Sequence, residues 1–334
     1  MNEIARPGIN EKWLRSWKLT ARRNARWIKT HDADNIASLR FYVAHGQAKQ
    51  IDSMEGLIDP VTPPRKGWES FIDLELGTYA LMRLAEWEMA GIDKQRWDPD
   101  LVESAFSAAY LEQMMVLYSH LLFPVRHSGR ILQRMDLGAL SFTALGFLIG
   151  RQDDALQLAR LQLVAFRKQY HDLVLARPIS AFTARILADY LGEPPVIVRG
   201  DRQYILKGEI PVDPVMQGLF NAWRDPDTDT LLPHCLAACD IHTHQAITGT
   251  YSYRLEFGNG KWTRIPIAVL LVFKLRTLLG LSNPKIDHPL MHSVLGELPS
   301  SRIASKSDEL IESVRARMMQ DGYSEQAIVD GYLG

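Results

Sequence analysis

Apolar residues return every three or four positions through most of the chain, the period of a helix with one buried face. "WESFIDLELGTYALMRLAEWEMAG" predicts a helix ending at Gly91, and "DPDLVESAFSAAYLEQMMVLYSHLLF" a second one opening on a cap-like DPD. Residues 136–170 predict a helical hairpin: "DLGALSFTALGFLIG", a turn at "GRQDD", then "ALQLARLQLVAFRKQY". Ala139, Ala144, Gly146, Ala155 and Ala159 are small enough to let its two arms approach closely. No second copy follows at a period of about 34 residues, so this is a helix pair and not a demonstrated repeat. "PISAFTARILADYLGEPP" is a further helix, with Pro178 at its start and Gly192 at its end. "PIAVLLVFKLRTLLGL" reads as a core helix closed by Gly280, and two shorter helices over about 306–320 and in "SEQAIVDGYL" finish the chain.

Period-two alternation is confined to two places. "VIVRGDRQYIL" fits a short hairpin or an irregular loop, and Tyr251, Tyr253, Leu255 and Phe257 alternate before an Asn259-Gly260 turn signal. The expected fold is therefore all-α, a multi-helix bundle of antiparallel helix pairs with at most one small β-hairpin near 250–264. It divides into N-terminal amphipathic helices (1–55) packed on the body, a helical-hairpin region (66–195) and a C-terminal helical region (196–334), together one compact unit. The break "GLIDPVTPPRKG" (56–67), with three prolines and two glycines, is the clearest loop of the first half.

The first fifty residues carry ten Lys/Arg against four Asp/Glu. Trp13, Trp17 and Trp27 recur among them so that the rings fall on one side of a helix and the charges on the other. That arrangement serves either an amphipathic helix docked on the core or a basic arm for an anionic partner. In "HDADNIASLRFYVAHGQ", Asp32 or Asp34 is a plausible N-cap and Gly46 a C-cap.

With 334 residues the chain can bury a sizeable core, and 46% hydrophobic with 23% charged residues argues against wholesale disorder. The net charge of -1 gives no global basic field for nucleic acid. Two cysteines exclude a disulfide scaffold, and no signal-like segment or membrane-length apolar run is present, so the expectation is a cytoplasmic protein with no nucleic-acid or membrane partner, monomeric or homodimeric.

The chemistry-bearing residues concentrate in "HCLAACDIHTHQ" (234–245). On a helix, Cys235, Cys239 and His242 stack on one face and Asp240 pairs with His244 about a third of a turn round. Three such ligands could reach a metal ion, and His242, His244 and Asp240, with Asp287, define an alternative reading as a metal-dependent hydrolase. No CxxC, no second cysteine cluster and no HExxH accompanies them, and Ala237 and Ala238 suit a tightly packed core helix whose histidines hydrogen-bond inward. The first choice is structural: no metal, no cofactor. "IDHPLMHS" (286–293) gathers Asp287, His288 and His292 without a nucleophile elbow, and no GxGxxG or P-loop occurs. Asp225, Asp227 and Asp229 beside Trp223, with Asp153 and Asp154 at the hairpin turn, are read either as helix caps or as an acidic surface for a basic partner.

The segment "FGNGKWTRIPIAVLLVFKLRTLLGLSNPKIDHPLM", preceded by "PISAFTARILADYLGEPP" and "LAACDIHTH", resembles the C-terminal half of helical bacterial immunity proteins of polymorphic-toxin and type VI secretion systems. The nearest class is the PoNi-like one, which protects against nuclease toxins. In it an aromatic-rich turn leads into an apolar helix that runs to an acidic, proline-containing turn; Trp262, the helix from Pro266, and Asp287-His288-Pro289 play those parts. Lys274 and Arg276 depart from the small apolar residues usual there. The resemblance implies an all-α protein without catalytic activity that binds and neutralises a cognate toxin; the acidic loops themselves, an aromatic residue rimmed by charge, make Trp223, Asp225, Asp227, Asp229, Asp153 and Asp154 its expected contact residues. A helical-repeat scaffold for other proteins is the remaining alternative.

Overall fold

The structure, a computed structural model, describes residues 6–46, 72–122, 138–167, 177–194, 199–200, 208–209, 213–247, 255–299 and 306–334. The described chain is predominantly helical. α1 spans Glu11–His45, α2 Ile72–Asp93, α3 Pro99–Leu122, α4 Ala139–Leu148, α5 Gln152–Arg167 and α6 Pro178–Leu191. α7 (Pro214–Ala222), α8 (Thr228–Gln245), α9 (Ile267–Leu278), α10 (Glu309–Gln320) and α11 (Glu325–Leu333) follow. Among the described residues no helix is long and apolar enough to cross a membrane.

α1 is a single helix of 35 residues. Asn10 caps its start by accepting from the Lys12 N–H, and Gly46, at φ 67°, closes it in the left-handed region that glycine adopts without steric cost. Asp32 and Asp34 are therefore not caps: no proline or glycine interrupts the segment, and Asp32 instead pairs with Arg83 of α2. α2 likewise runs through Gly91, which the pattern marked as its end. A Cβ there would stand 2.4 Å from a Leu295 methyl, so the glycine serves close packing and not termination.

The buried apolar side chains form one continuous cluster that extends from Trp13 to Tyr332. α2 and α3 fold back on each other, α1 lies on α2, and α4 with α5 forms the expected hairpin. Every residue of α4 is buried, as an all-round apolar helix must be. A Cβ on Gly146 would lie 2.5 Å from the Phe106 ring and 2.9 Å from Ala155 Cβ, so glycine sets how closely α4, α5 and α3 meet. Contacts between distant parts of the sequence close the bundle: α9 packs on α4 and α6, α10 on α1, and α11 on α3 and α5.

The strand expectation near 250–264 is met differently. Tyr251 and Tyr253 lie outside the described residues. Residues 255–264 form successive turns, with the Phe257 N–H donating back to Gln245 O at 3.0 Å. A two-residue antiparallel pairing instead joins Arg199–Gly200, the first two residues of "RGDR", to Gly208–Glu209.

Candidate functional site

α8 places the cysteine and histidine cluster in the core. Asp227 caps this helix, accepting from the Asp229 N–H and the Thr230 hydroxyl, both at 2.9 Å. Cys235 and Cys239 are fully buried, and burial pushes both thiols upward, Cys235 to about 12.

The polar residues that follow Cys239 on this helix point three ways. Asp240, fully buried, receives a forked guanidinium from Arg6, Nε at 2.9 Å and Nη2 at 3.1 Å. Its Oδ1 also lies 3.2 Å from His288 Nε2. His288 Nδ1 accepts the Leu290 N–H at 3.1 Å, so the proton sits on Nε2 and is donated to Asp240. Burial lowers the His288 pKa, keeping the ring neutral in this role. His242 donates from Nε2 to Trp262 O at 2.8 Å, and burial lowers its pKa to about 4. His244 bonds Gly8 O through Nε2 at 3.0 Å and Asn10 through Nδ1 at 3.2 Å, while Thr243 Oγ1 accepts the Asn10 N–H at 3.0 Å. Asp240, His242 and His244 therefore do not converge on one point. Among the described residues no group of three or more His, Cys, Asp or Glu side chains is arranged to hold a metal ion.

These bonds belong to a larger polar joint around the turn at 256–264. Glu256 is buried and accepts the Ile179 N–H at 2.9 Å, the Ser180 N–H at 2.7 Å and the Ser180 hydroxyl. It caps the first turn of α6 from 76 positions away in sequence, where exposed N–H groups and the helix dipole favour an anion. Glu88 of α2, fully buried, accepts from the Thr263 hydroxyl at 2.9 Å and from the Arg264 N–H. Burial raises both carboxyls to about 7.

The same turn grips α1. Trp13 Nε1 donates to Thr263 O at 2.8 Å, and Asn24 Nδ2 to Gly260 O at 3.0 Å. Lys261 donates to Asn24 at 3.0 Å with its ammonium 4.1 Å from the Trp27 ring centre. Arg264 lies 3.8 Å over Trp13 and near Trp17, and burial lowers its pKa to about 10. At the centre, Trp262 is buried at φ 62°, a conformation uncommon outside glycine, with its ring edge-on to Phe142 at 5.0 Å.

The acidic residues have other surroundings than expected. Trp223 is only 2% exposed; its Nε1 donates to Asp189 at 3.1 Å and Arg224 covers its ring at 4.2 Å. It is thus no exposed interface anchor, because the loop folds back onto α6. Asp225 accepts the Asp227 N–H at 2.9 Å. The Asp229 N–H and the Thr230 hydroxyl, bonded to its carboxylate, lower the pKa of Asp227, which with Asp229 stays exposed. The departure at Arg276 is explained here: buried, it donates to Trp223 O at 2.7 Å, Asp225 O at 2.6 Å and Ser282 O at 3.0 Å, fixing the loop to the end of α9. Asp154 pairs with Arg151 at 2.6 Å, Asp153 is exposed in the first turn of α5, and Asp287 pairs at the surface with His292 at 2.9 Å.

Arg6, Asn10, Glu88, Glu256, Lys261 and Arg264 were not marked by sequence reasoning as members of a common site. One signal was present: Glu88 sits on the apolar stripe of α2 with Leu84 and Gly91, where a carboxylate needs a buried partner. No protein-family model, no curated protein and no solved structure matches this chain.

Proposed function

We propose that the protein is an immunity protein, one that binds and neutralises a cognate secreted antibacterial toxin in the cytoplasm and has no catalytic activity of its own. The observation that carries this reading is how the segments bearing the resemblance meet. Glu256 beside the aromatic turn caps α6, Trp262 O accepts a hydrogen bond from His242 Nε2, and His288 of the acidic, proline-containing turn donates to Asp240. The residues that carry the resemblance are thus the joints of the fold, as expected of a framework whose task is to hold a binding surface rigid.

The buried ionisable groups Glu88, Asp240, Glu256 and Arg276 have their bonds inside that framework, which directs recognition to the outer surface. The hydrolase alternative loses its support where Asp240, His242 and His244 diverge and Asp287 turns to His292. A repeat scaffold would bring only neighbouring units into contact, whereas here α10 returns to α1 and α11 to α3 and α5. Nuclease toxins are the class the resemblance favours.

The test is co-expression with the toxin encoded next to this chain in a sensitive host, together with size-exclusion chromatography of the two purified proteins. Protection and a stable stoichiometric complex are expected. Growth arrest despite folded protein, with no complex formed, removes the reading.

A further inference from the structure

The first half of α1 carries a charge distribution that the joint does not use. Between residues 11 and 29 stand seven Lys/Arg and one acid, Glu11, although the whole chain has a net charge of -1. At 100° per residue, Lys12, Arg15, Leu19, Arg22, Arg26 and Lys29 fall within about 100° of the helix circumference. The buried side of α1, marked by Trp13, Thr20, Asn24, Asn35, Leu39 and Tyr42, is centred about 180° away by the same reckoning. The basic residues, with Lys18 and Arg23 at the margins of the stripe, are exposed. Among the described residues, Arg15 alone of these has a carboxylate partner, Glu11 at 2.7 Å. The stripe is about 26 Å long at 1.5 Å per residue.

We propose that this outward face of α1 is a docking surface for an acidic protein surface; identifying that partner as the toxin rests on the proposed function. Unpaired cations in a continuous row complement an acidic face and steer its approach. Leu19, at 48% exposure, stands among the cations and Leu14, at 44%, lies on the flank beyond Lys18; an apolar contact beside arginines suits a protein interface better than a phosphate backbone. The rings that could stack on bases face inward: Trp13 is buried, Trp17 lies near Arg264 and Trp27 under Lys261. A membrane surface is disfavoured because the apolar side of α1 is already packed in the core.

The experiment compares wild type with a triple variant, Arg22→Glu, Arg23→Glu, Arg26→Glu, whose unchanged helicity and unfolding midpoint are checked first. Against the neighbouring toxin, the variant's association rate at low salt is expected to fall about tenfold or more, with the wild-type rate converging on it as salt rises. Equal rates overturn the docking surface and leave the immunity reading standing. If wild type does not bind the toxin, the immunity reading falls, and a glutamate-rich peptide, a duplex DNA and anionic vesicles decide the surface by itself. Salt-sensitive peptide binding that the variant loses sustains it. No peptide binding, tighter binding to the duplex or vesicles, or low-salt self-association abolished by the variant assigns the face elsewhere and overturns the proposal.

Discussion

Arg6 and Asp240, 234 positions apart in sequence, meet through two parallel N–H···O bonds of 2.9 and 3.1 Å. Asp240 has no exposed side-chain surface and Arg6 retains 40%. A half-wet arginine thereby reaches a dry carboxylate and fixes the segment leading into α1 against the middle of α8. His288 adds a neutral donor on the carboxylate's other side.

Removing the cation is expected to cost more than removing the charge it meets. Arg6→Ala should destabilise by about 1–2 kcal/mol, discounted for the arginine's exposure, because Asp240 then holds a buried charge with one neutral donor. Asp240→Asn added to Arg6→Ala should recover part of that loss, since the amide carries no charge to strand. Chemical denaturation of the two variants is the measurement. A double variant less stable than Arg6→Ala would mean that the pair acts through packing and not through charge.

Glu88 makes a pH prediction with a definite sign. Its carboxyl titrates near 7 when folded against an ordinary value of 4.5, so the folded protein holds this proton more tightly than the unfolded chain. Stability contributed by the proton is complete below about pH 4.5 and is lost as pH rises through 7. Glu88→Gln keeps an oxygen that can accept from both Thr263 and Arg264. The variant's advantage over wild type should therefore grow between about pH 4.5 and 7 and stay level above. His242, lowered to about 4, gives an opposite slope common to both proteins, so only the difference between them isolates Glu88. A difference that is flat across this window would refute the assignment.

Gly146→Ala should destabilise by about 1–3 kcal/mol although alanine is the better helix former. The added methyl meets the Phe106 ring at 2.5 Å and Ala155 at 2.9 Å, and neither is the loose end of a flexible chain. Pairing it with Phe106→Leu should return part of the loss. Thermal unfolding reads both, and an unchanged midpoint in the single variant would show that α4 can move off α3.

Helix existence was legible wherever caps and periodicity agreed, as at Pro178 and Gly192, because both are local properties of the chain. Continuity of α1 was harder to see: Asp32 suits a cap, yet a tertiary partner, Arg83, takes it. The polar joint was barely legible. Glu256 and the α6 N-terminus are 76 positions apart, and Lys261 and Asn24 are 237 apart, so no local pattern links them. Trp223 beside three aspartates looked like an exposed loop, since the carbonyls that Arg276 collects from it leave no mark in the sequence.

The acidic loop at 225–229 can be separated into its capping and recognition parts. Asp227 caps α8 through its Oδ1 and Oδ2, while the Asp229 side chain is exposed in the first turn. Asparagine caps nearly as well as aspartate, so Asp227→Asn with Asp229→Asn should remove two charges and leave the unfolding midpoint almost unchanged. If the loop touches a basic patch on the toxin, this pair should slow association several-fold at low salt and hardly at all at high salt. Trp223→Ala should behave differently: it empties a buried site and removes one donor from Asp189, which keeps its bond to Arg224 at 2.8 Å, lowering stability by about 3–5 kcal/mol whatever the partner. Stopped-flow association with the toxin at two salt concentrations, set beside the unfolding midpoints, resolves the two roles. Equal rates for wild type and the double asparagine variant would leave the loop with its capping role alone.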